Sequence, residues 1–386
     1  MQYNGKLSHK TAVSLGTELE RLFASMKDAR RKHGNFKHEL KDILMLLVVS
    51  RLCGMATREQ VVRFGKANLV RFRKLNLLRN GVPSEPTLCR VENGIDDEEL
   101  SGILLGVARL MRRKKFKVND METVAIDGKC LRGTTYENGR SPDVLSANSK
   151  GLSVATELCQ EKSNEIPASE KLLAKVDVAG KVVTADAMFC QRTVIEAIKA
   201  RNGHFLIEVK GNQKQLRWDI EDKVEAAEAL DEYAGEAELS HGRIETRACT
   251  TFSAETIVDM SKWSGSLTIV KIEKRTTDKK SNCETSEVRY YTSDLSCNAK
   301  TFNDLVRSHW GIEAYHWCLD AIMGEDGTKR KKARAGRNHD TLLRLCLSIV
   351  RIKTASRKCL EDRALSYKRT FDSMLNDFTA AKNLLY

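Results

Sequence analysis

No apolar run in this chain approaches the ~20 residues that a membrane-crossing helix needs. The longest, Ile43-Leu-Met-Leu-Leu-Val-Val, is short and falls inside a helical pattern. That excludes a membrane-spanning protein, and no membrane partner is expected. The first residues, Met-Gln-Tyr-Asn-Gly-Lys, lack the apolar centre of a secretion signal. CxxC pairs are also missing. The eleven cysteines are scattered through mostly apolar settings such as Leu-Arg-Leu-Cys346-Leu-Ser, which excludes a disulfide framework and a cysteine-rich zinc site. They read as reduced core fillers of a cytoplasmic protein. Internal repeats and low-complexity tracts are absent as well. What is present is ordinary globular composition, 41% hydrophobic and 30% charged over 386 residues, enough for a large core and two or three domains.

Charge is unevenly placed. Residues 1–117 carry 24 Lys+Arg against 12 Asp+Glu, residues 118–300 carry 25 against 30, and residues 301–386 carry 16 against 10. Basic ends around a slightly acidic middle suit a protein that grips a polyanion and gathers carboxylates elsewhere. A ribosomal or membrane-surface protein would show the same balance.

The first ~115 residues read as helices. Apolar residues at 40, 43, 44, 47 and 48 make a core-helix stripe, and Thr57-Arg-Glu-Gln60 is a capping box. Ser84 can cap a short helix with Pro86 in its first turn. Helices around that turn make either a helix-turn-helix, with Glu85, Thr87 and Arg90 toward a groove, or an ordinary helical hairpin. Arg112–Lys117 reads as a basic linker. Beyond it strands alternate with helices, which predicts a mixed α/β sheet covered by helices. The predicted strands are 123–127, 152–158, 181–186 and 204–209, and the predicted helices begin near Pro167 and span 193–201. Three further strands near 243, 267 and 287 form an insertion at about 234–295. A helix over ~299–322 and another over 340–352 close the pattern.

Three acids carry the chemistry. Asp127 ends the run Glu-Thr-Val-Ala-Ile-Asp, Asp186 ends Lys-Val-Val-Thr-Ala-Asp, and Glu313 lies in the helix Ser-His-Trp-Gly-Ile-Glu-Ala-Tyr-His-Trp. Taken singly, each aspartate also fits a turn or cap. Together, carboxylates from two strand ends and a helix are a way to hold two hard divalent cations against a phosphodiester. The 59 residues from Asp127 to Asp186 fit a hairpin, a helix and a return strand. The next 127 leave room for an insertion. His309, Glu313 and His316 share one helix face, which could be read as a zinc site. The alternative is a core helix with Trp310 and Trp317 buried. Lys210, Asn212 and Gln213 lie between a strand and a helix, where they either contact DNA phosphate or cap a turn. Six cations within nine residues, Lys329, Arg330, Lys331, Lys332, Arg334 and Arg337, read as a phosphate clamp.

Several motifs occur together and in order. They are Ala125-Ile-Asp-Gly-Lys-Cys-Leu-Arg-Gly, Thr184-Ala-Asp-Ala-Met-Phe-Cys-Gln, Val209-Lys-Gly-Asn-Gln, His241-Gly-Arg-Ile-Glu-Thr-Arg, and His309-Trp-Gly-Ile-Glu-Ala-Tyr-His-Trp-Cys-Leu-Asp with Gly324-Glu-Asp behind it. With Phe23-Ala-Ser-Met-Lys-Asp-Ala-Arg-Arg and Gly81-Val-Pro-Ser-Glu-Pro-Thr-Leu-Cys-Arg-Val, the chain resembles bacterial insertion-sequence transposases over residues ~20–350. The resemblance is strongest to the branch of the H-repeat-associated proteins.

That resemblance implies a helical, DNA-binding domain over 1–117, an RNase H-like catalytic domain over 118–353 with a β-rich insertion, and a helical tail over 354–386. It implies an Asp-Asp-Glu triad of Asp127, Asp186 and Glu313 holding Mg²⁺, with Mn²⁺ as a substitute. The reaction implied is strand cleavage and strand transfer. The partners are double-stranded DNA (terminal inverted repeats and target) and a second copy as a homodimer, in a bacterial, nucleoid-associated setting. The wider class places Tyr, Arg and Lys where this chain has Val306, His309 and Asp320. His309, His316 and Asp320 are therefore expected to support the site or its phosphate. A catalytically idle DNA-binding derivative, or a nuclease that cuts without joining, fits the same sequence.

Overall fold

The computed structural model describes residues 14–30, 37–115, 121–135, 139–159, 165–240, 242–263, 265–327, 329–354 and 363–386. The expected boundary at 117/118, the end of the basic linker, and the His241 that opens one motif lie outside them. By its contacts the chain forms two compact units, Met1–Ile103 with Leu319–Tyr386, and Leu104–Cys318. Among the described residues no helix is long and apolar enough to cross a membrane.

The first unit is helical. Its elements are α1 (Leu15–Ala24), α2 (Leu40–Leu52), α3 (Arg58–Ala67), α4 (Leu69–Lys74), α5 (Glu85–Gly94) and the first part of α6 (Asp97–Lys115). The Thr57 capping box forms as the sequence predicts, with the Gln60 N–H donating to the Thr57 side chain and the Gln60 side chain reaching back. The α2 stripe is wider than predicted. Every residue from Ile43 to Leu52 is buried, because α2 is enclosed by neighbours. Each buried Leu or Ile there contributes roughly 1.5–3 kcal/mol relative to an exposed position.

The second unit is built on one sheet. Its strands are β1 (Thr123–Cys130), β2 (Asp143–Ser149), β3 (Leu152–Cys159), β4 (Val182–Ala185), β5 (His204–Val209), β6 (Ala229–Ala234), β7 (Glu238–Ser240), β8 (Arg243–Ser253), β9 (Thr268–Asp278) and β10 (Glu284–Ser293). The order is β3-β2-β1-β4-β5-β10-β9-β8-β6, with β7 on β8. The interval between Asp127 and Asp186 holds a hairpin, β2–β3, of which the sequence predicts only the second strand, then helix α7 (Glu165–Lys175) and the return strand β4 as predicted. The hairpin turns at Lys150 and Gly151, both at positive φ (53° and 75°), the pairing of conformations that a two-residue turn between twisted strands demands. The expected insertion is not a separate layer, since β10 pairs with β5 and the later strands extend the same sheet. Helices α8 (Arg192–Lys199), α9 (Lys214–Lys223) and α10 (Ala254–Ile257) sit in the connections, and α11 (Ala299–Trp317) crosses the sheet. Leu305, Val306 and Phe302 of α11 pack on Val182, Leu206, Val270 and Tyr291.

Here the chain returns to the helical unit. The helix expected over 299–322 stays α-helical to Trp317 and widens to a π-turn over Cys318–Ile322. It is followed by α12 (Ala333–Thr354), α13 (Arg363–Met374) and α14 (Phe378–Leu385). Buried Leu342, Leu345, Cys346 and Ile349 bind α12 into the helical core beside α2 and α5. By contacts, residues 319–354 pack with the helical unit.

Candidate active site

Strand register alone brings two of the three acids together. The parallel pairing of β1 with β4 ends at Ile126 and Ala185, and that of β4 with β5 ends at Ala185 and Ile207. One residue further on, Asp127, Asp186 and Glu208 stand in a row across three neighbouring strands, about 4.8 Å apart per strand. Alternation turns the row toward α11, the face that also carries Thr123, Thr184 and Ser146. Helix α11 is fixed on this face by polar contacts. Ser308 Oγ donates to Thr123 Oγ1 (3.2 Å), His309 Nδ1 meets Thr184 Oγ1 (3.0 Å), and His316 Nε2 lies 3.4 Å from Ser146 Oγ.

Each acid has its own surroundings. Asp127 Oδ1 accepts from the Gly128 N–H (2.9 Å), and His316 Nδ1 lies 3.3 Å from Oδ2. Asp186 caps a single 3-10 turn, accepting from the Ala187 N–H (2.7 Å) and from Lys210 Nζ (3.0 Å). Burial pushes the Asp186 carboxyl up, but those two donors outweigh it and hold its pKa below the usual value. Glu313 is the reverse case. Burial, then the charges of Asp127 and Asp186, push its carboxyl up. His309 is held below the ordinary histidine value by burial, although Asp127 and Asp186 pull the other way. The two histidines thus face different partners, and no His309–Glu313–His316 cluster with zinc-like closeness forms among the described residues.

The Lys210-Gly-Asn-Gln motif folds back on the Asp186 turn. The Asn212 amide donates to the Ala187 carbonyl (2.6 Å) and the Gln213 amide to that of Cys190 (2.8 Å). Of the two sequence readings, the turn-latching one describes Asn212 here. Lys210 Nζ bridges Asp186 and Glu208, 2.9 Å from the latter. Sequence reading passed over Glu208. Its signal was a lone acid in the apolar strand His204-Phe-Leu-Ile-Glu-Val, two residues before a lysine.

The tryptophans of α11 are not core residues. Trp310 and Trp317 are 41% and 56% exposed, three before and four after Glu313, and so on its face of the helix. Arg289 stacks 4.7 Å from the Trp310 ring centre. A groove lined by Trp310 also carries Arg247, Lys274, Arg289 and Arg307, with Glu287 and the apolar Ile272 and Val306.

In the helical unit the expected phosphate clamp divides. Lys329, Lys331, Lys332 and Arg334 are exposed, whereas Arg330 and Arg337 are buried (each 5% exposed). Arg330 turns to Glu92 (3.6 Å) and Arg337 to Asp97 and Glu98, so these two do not face a phosphate. With Arg344 and Arg351 they mark a seven-residue spacing of buried arginines, which a count of charges does not see. Asp320 joins Glu325 and Asp326, with oxygens all within 4.8 Å of one another.

The family described as Transposase DDE domain matches residues 119–349, and the one described as DDE_Tnp_1-associated matches residues 21–106. An Escherichia coli protein named "Putative transposase YncI" is 30% identical over 334 residues, covering 83% of this chain and 84% of that protein. "H repeat-associated putative transposase YhhI", also of Escherichia coli, is 30% identical over 335 residues, covering 83% and 87%. Among solved structures, a piggyBac transposase synaptic complex with hairpin DNA aligns over 97% of this chain and 82% of that one, at 11% identity and a TM-score of 0.43.

Proposed function

The chain belongs to the bacterial DDE transposases of the H-repeat-associated branch, and from that premise we propose that it is a divalent-metal-dependent enzyme that cuts and joins DNA at the ends of an insertion sequence. The observation that carries the proposal is the register row. It sets Asp127 beside Asp186 on one sheet face, and the charges of both act on Glu313 of α11. The order β3-β2-β1-β4-β5 supports an RNase H-like core.

The donor set fits a hard cation. It is all carboxylate oxygen, which favours Mg²⁺ or Mn²⁺ over Zn²⁺. A positive group, Lys210 Nζ, already lies against Asp186. Asp127, Asp186 and Glu313 would hold the ion or ion pair. Bound there, divalent ions would activate the attacking oxygen and stabilise the leaving one in an in-line displacement.

The remaining roles fall to the chain's own side chains. His316 holds Asp127 in orientation, and the Ala187 N–H and the Asn212 latch hold Asp186. Trp310 and Trp317 offer flat apolar faces on which bases can stack, and the neighbouring groove of arginines and lysine follows a phosphate backbone. Lys329, Lys331, Lys332 and Arg334 add DNA contacts from the helical unit, and two copies of the chain would pair two element ends.

Replacing Asp127, Asp186 or Glu313 by Ala tests this directly. Each variant should lose strand cleavage by at least about a thousandfold, several kcal/mol of metal stabilisation, while binding element-end DNA as before. Cleavage within about tenfold of the parent in any one of them removes that residue from the site. DNA binding without cleavage by the parent protein, in Mg²⁺ or Mn²⁺, would favour the idle derivative. Cleavage without joining would favour a nuclease.

A further inference from the structure

Glu208 is the fourth acid of the site face and the one most deeply placed, its side chain 8% exposed against 47% for Asp186 and 47% for Lys210. A buried carboxylate is costly unless paired, and Glu208 is paired twice. Lys210 Nζ lies 2.9 Å from Oε2, and Arg289 Nη1 lies 3.7 Å from Oε1. Arg289 is itself held by Glu287 (2.8 Å) and by the Trp310 ring. Lys210 therefore has two anionic partners at nearly equal distance. One is the half-exposed Asp186, and the other is the buried Glu208 on the next strand of the same row.

Those two partners have different fates if Asp186 takes a divalent cation. A lysine ammonium and a doubly charged ion cannot both press on one small carboxylate without strong repulsion. A cation on Asp186 therefore weakens the hold of Oδ1 on the lysine, and a lysine with no second partner would move toward water. We propose that Glu208 is a positioning residue that takes over Lys210 when a divalent cation occupies Asp186. The ammonium is then kept beside the metal site as a positive group facing DNA phosphate. A short swing about the Lys210 side chain completes the exchange, with no bond made or broken. This rests on the reading of Asp186 as a metal ligand.

The experiment is Mn²⁺ titration of the full-length protein by calorimetry, with Lys210→Met, Glu208→Gln and the double variant, and with Asp186→Asn as reference. Removing the competing ammonium in Lys210→Met should tighten Mn²⁺ by about tenfold, and stranding it on Asp186 in Glu208→Gln should weaken Mn²⁺ by about tenfold. In the Lys210→Met background, Glu208→Gln should then change affinity by less than about threefold, because the lysine it acts through is gone. A Glu208→Gln loss that persists undiminished without Lys210 makes Glu208 a direct ligand and overturns the proposal. So does a Lys210→Met protein, altered only at a half-exposed side chain, whose Mn²⁺ affinity is unchanged. Full Mn²⁺ binding by Asp186→Asn would instead sink the metal reading of the site, and this inference with it.

Discussion

Two charge clusters occupy the two units, one an acid among three arginines and the other a lysine between two acids, and they differ in their exposure to water. In the helical unit Glu92 is fully buried against Arg58 (2.6 Å), Arg51 (3.6 Å) and Arg330 (3.6 Å). In the sheet unit Asp186 and Glu208 share Lys210, and Lys210 and Asp186 are each about half exposed. Water decides what each cluster can do. Desolvated ions are held because no partner can leave without stranding a buried charge. Ions at a wet surface exchange partners at little cost. The first cluster ties helices together, and the second can trade a lysine for a metal ion or a phosphate.

The sharpest way to break this contrast is Glu92→Ala. It leaves three arginine side chains facing one another, two of them deeply buried, and should cost about 3–5 kcal/mol of stability, seen as an early transition in denaturant unfolding. Lys210→Met leaves the buried Glu208 with Arg289 at 3.7 Å and should shift the same curve by less, about 1–3 kcal/mol. Equal effects would show that exposure does not separate the two clusters.

The basic run tests the same distinction within nine residues. Changing Lys329, Lys331, Lys332 and Arg334 to Ala should flatten the salt dependence of DNA binding by up to about 0.9 in slope per side chain that meets a phosphate. Arg330→Ala and Arg337→Ala should lower the melting temperature and leave that slope unaltered. A slope change from the buried pair alone would reverse the assignment.

The smallest effect expected concerns pH. Burial, then Arg51, Arg330 and Arg58, hold the His339 pKa well below its ordinary value. The folded protein therefore keeps His339 neutral where the unfolded chain takes up a proton. Its contribution is complete above about pH 6.5 and is lost as pH falls below that, by up to about 1.4 kcal/mol per unit. Stability measured from pH 7.5 to 5.5 should fall, and His339→Gln should flatten that fall. An identical slope in the variant would place the sensitivity in other groups.

What the sequence determined by itself was local and periodic. The capping box at Thr57, the strand His204–Val209 and the hairpin–helix–strand interval between Asp127 and Asp186 follow from caps, alternation and spacing. So do the apolar runs that end on two aspartates. Strand β2 was missed because Ser146-Ala-Asn-Ser carries little strand propensity, and its place between β1 and β3 comes from pairing, not from its side chains. The tertiary structure alone decided which groups meet. Register placed Glu208 in the row with Asp127 and Asp186, and the packing of α11 left its tryptophans in solvent beside Glu313. The helical core drew Arg330 and Arg337 out of a run that reads as uniformly solvated. The physical reason is the same in each case. Caps and periodicity act over a few residues, whereas burial and ion pairing depend on which distant segment arrives opposite.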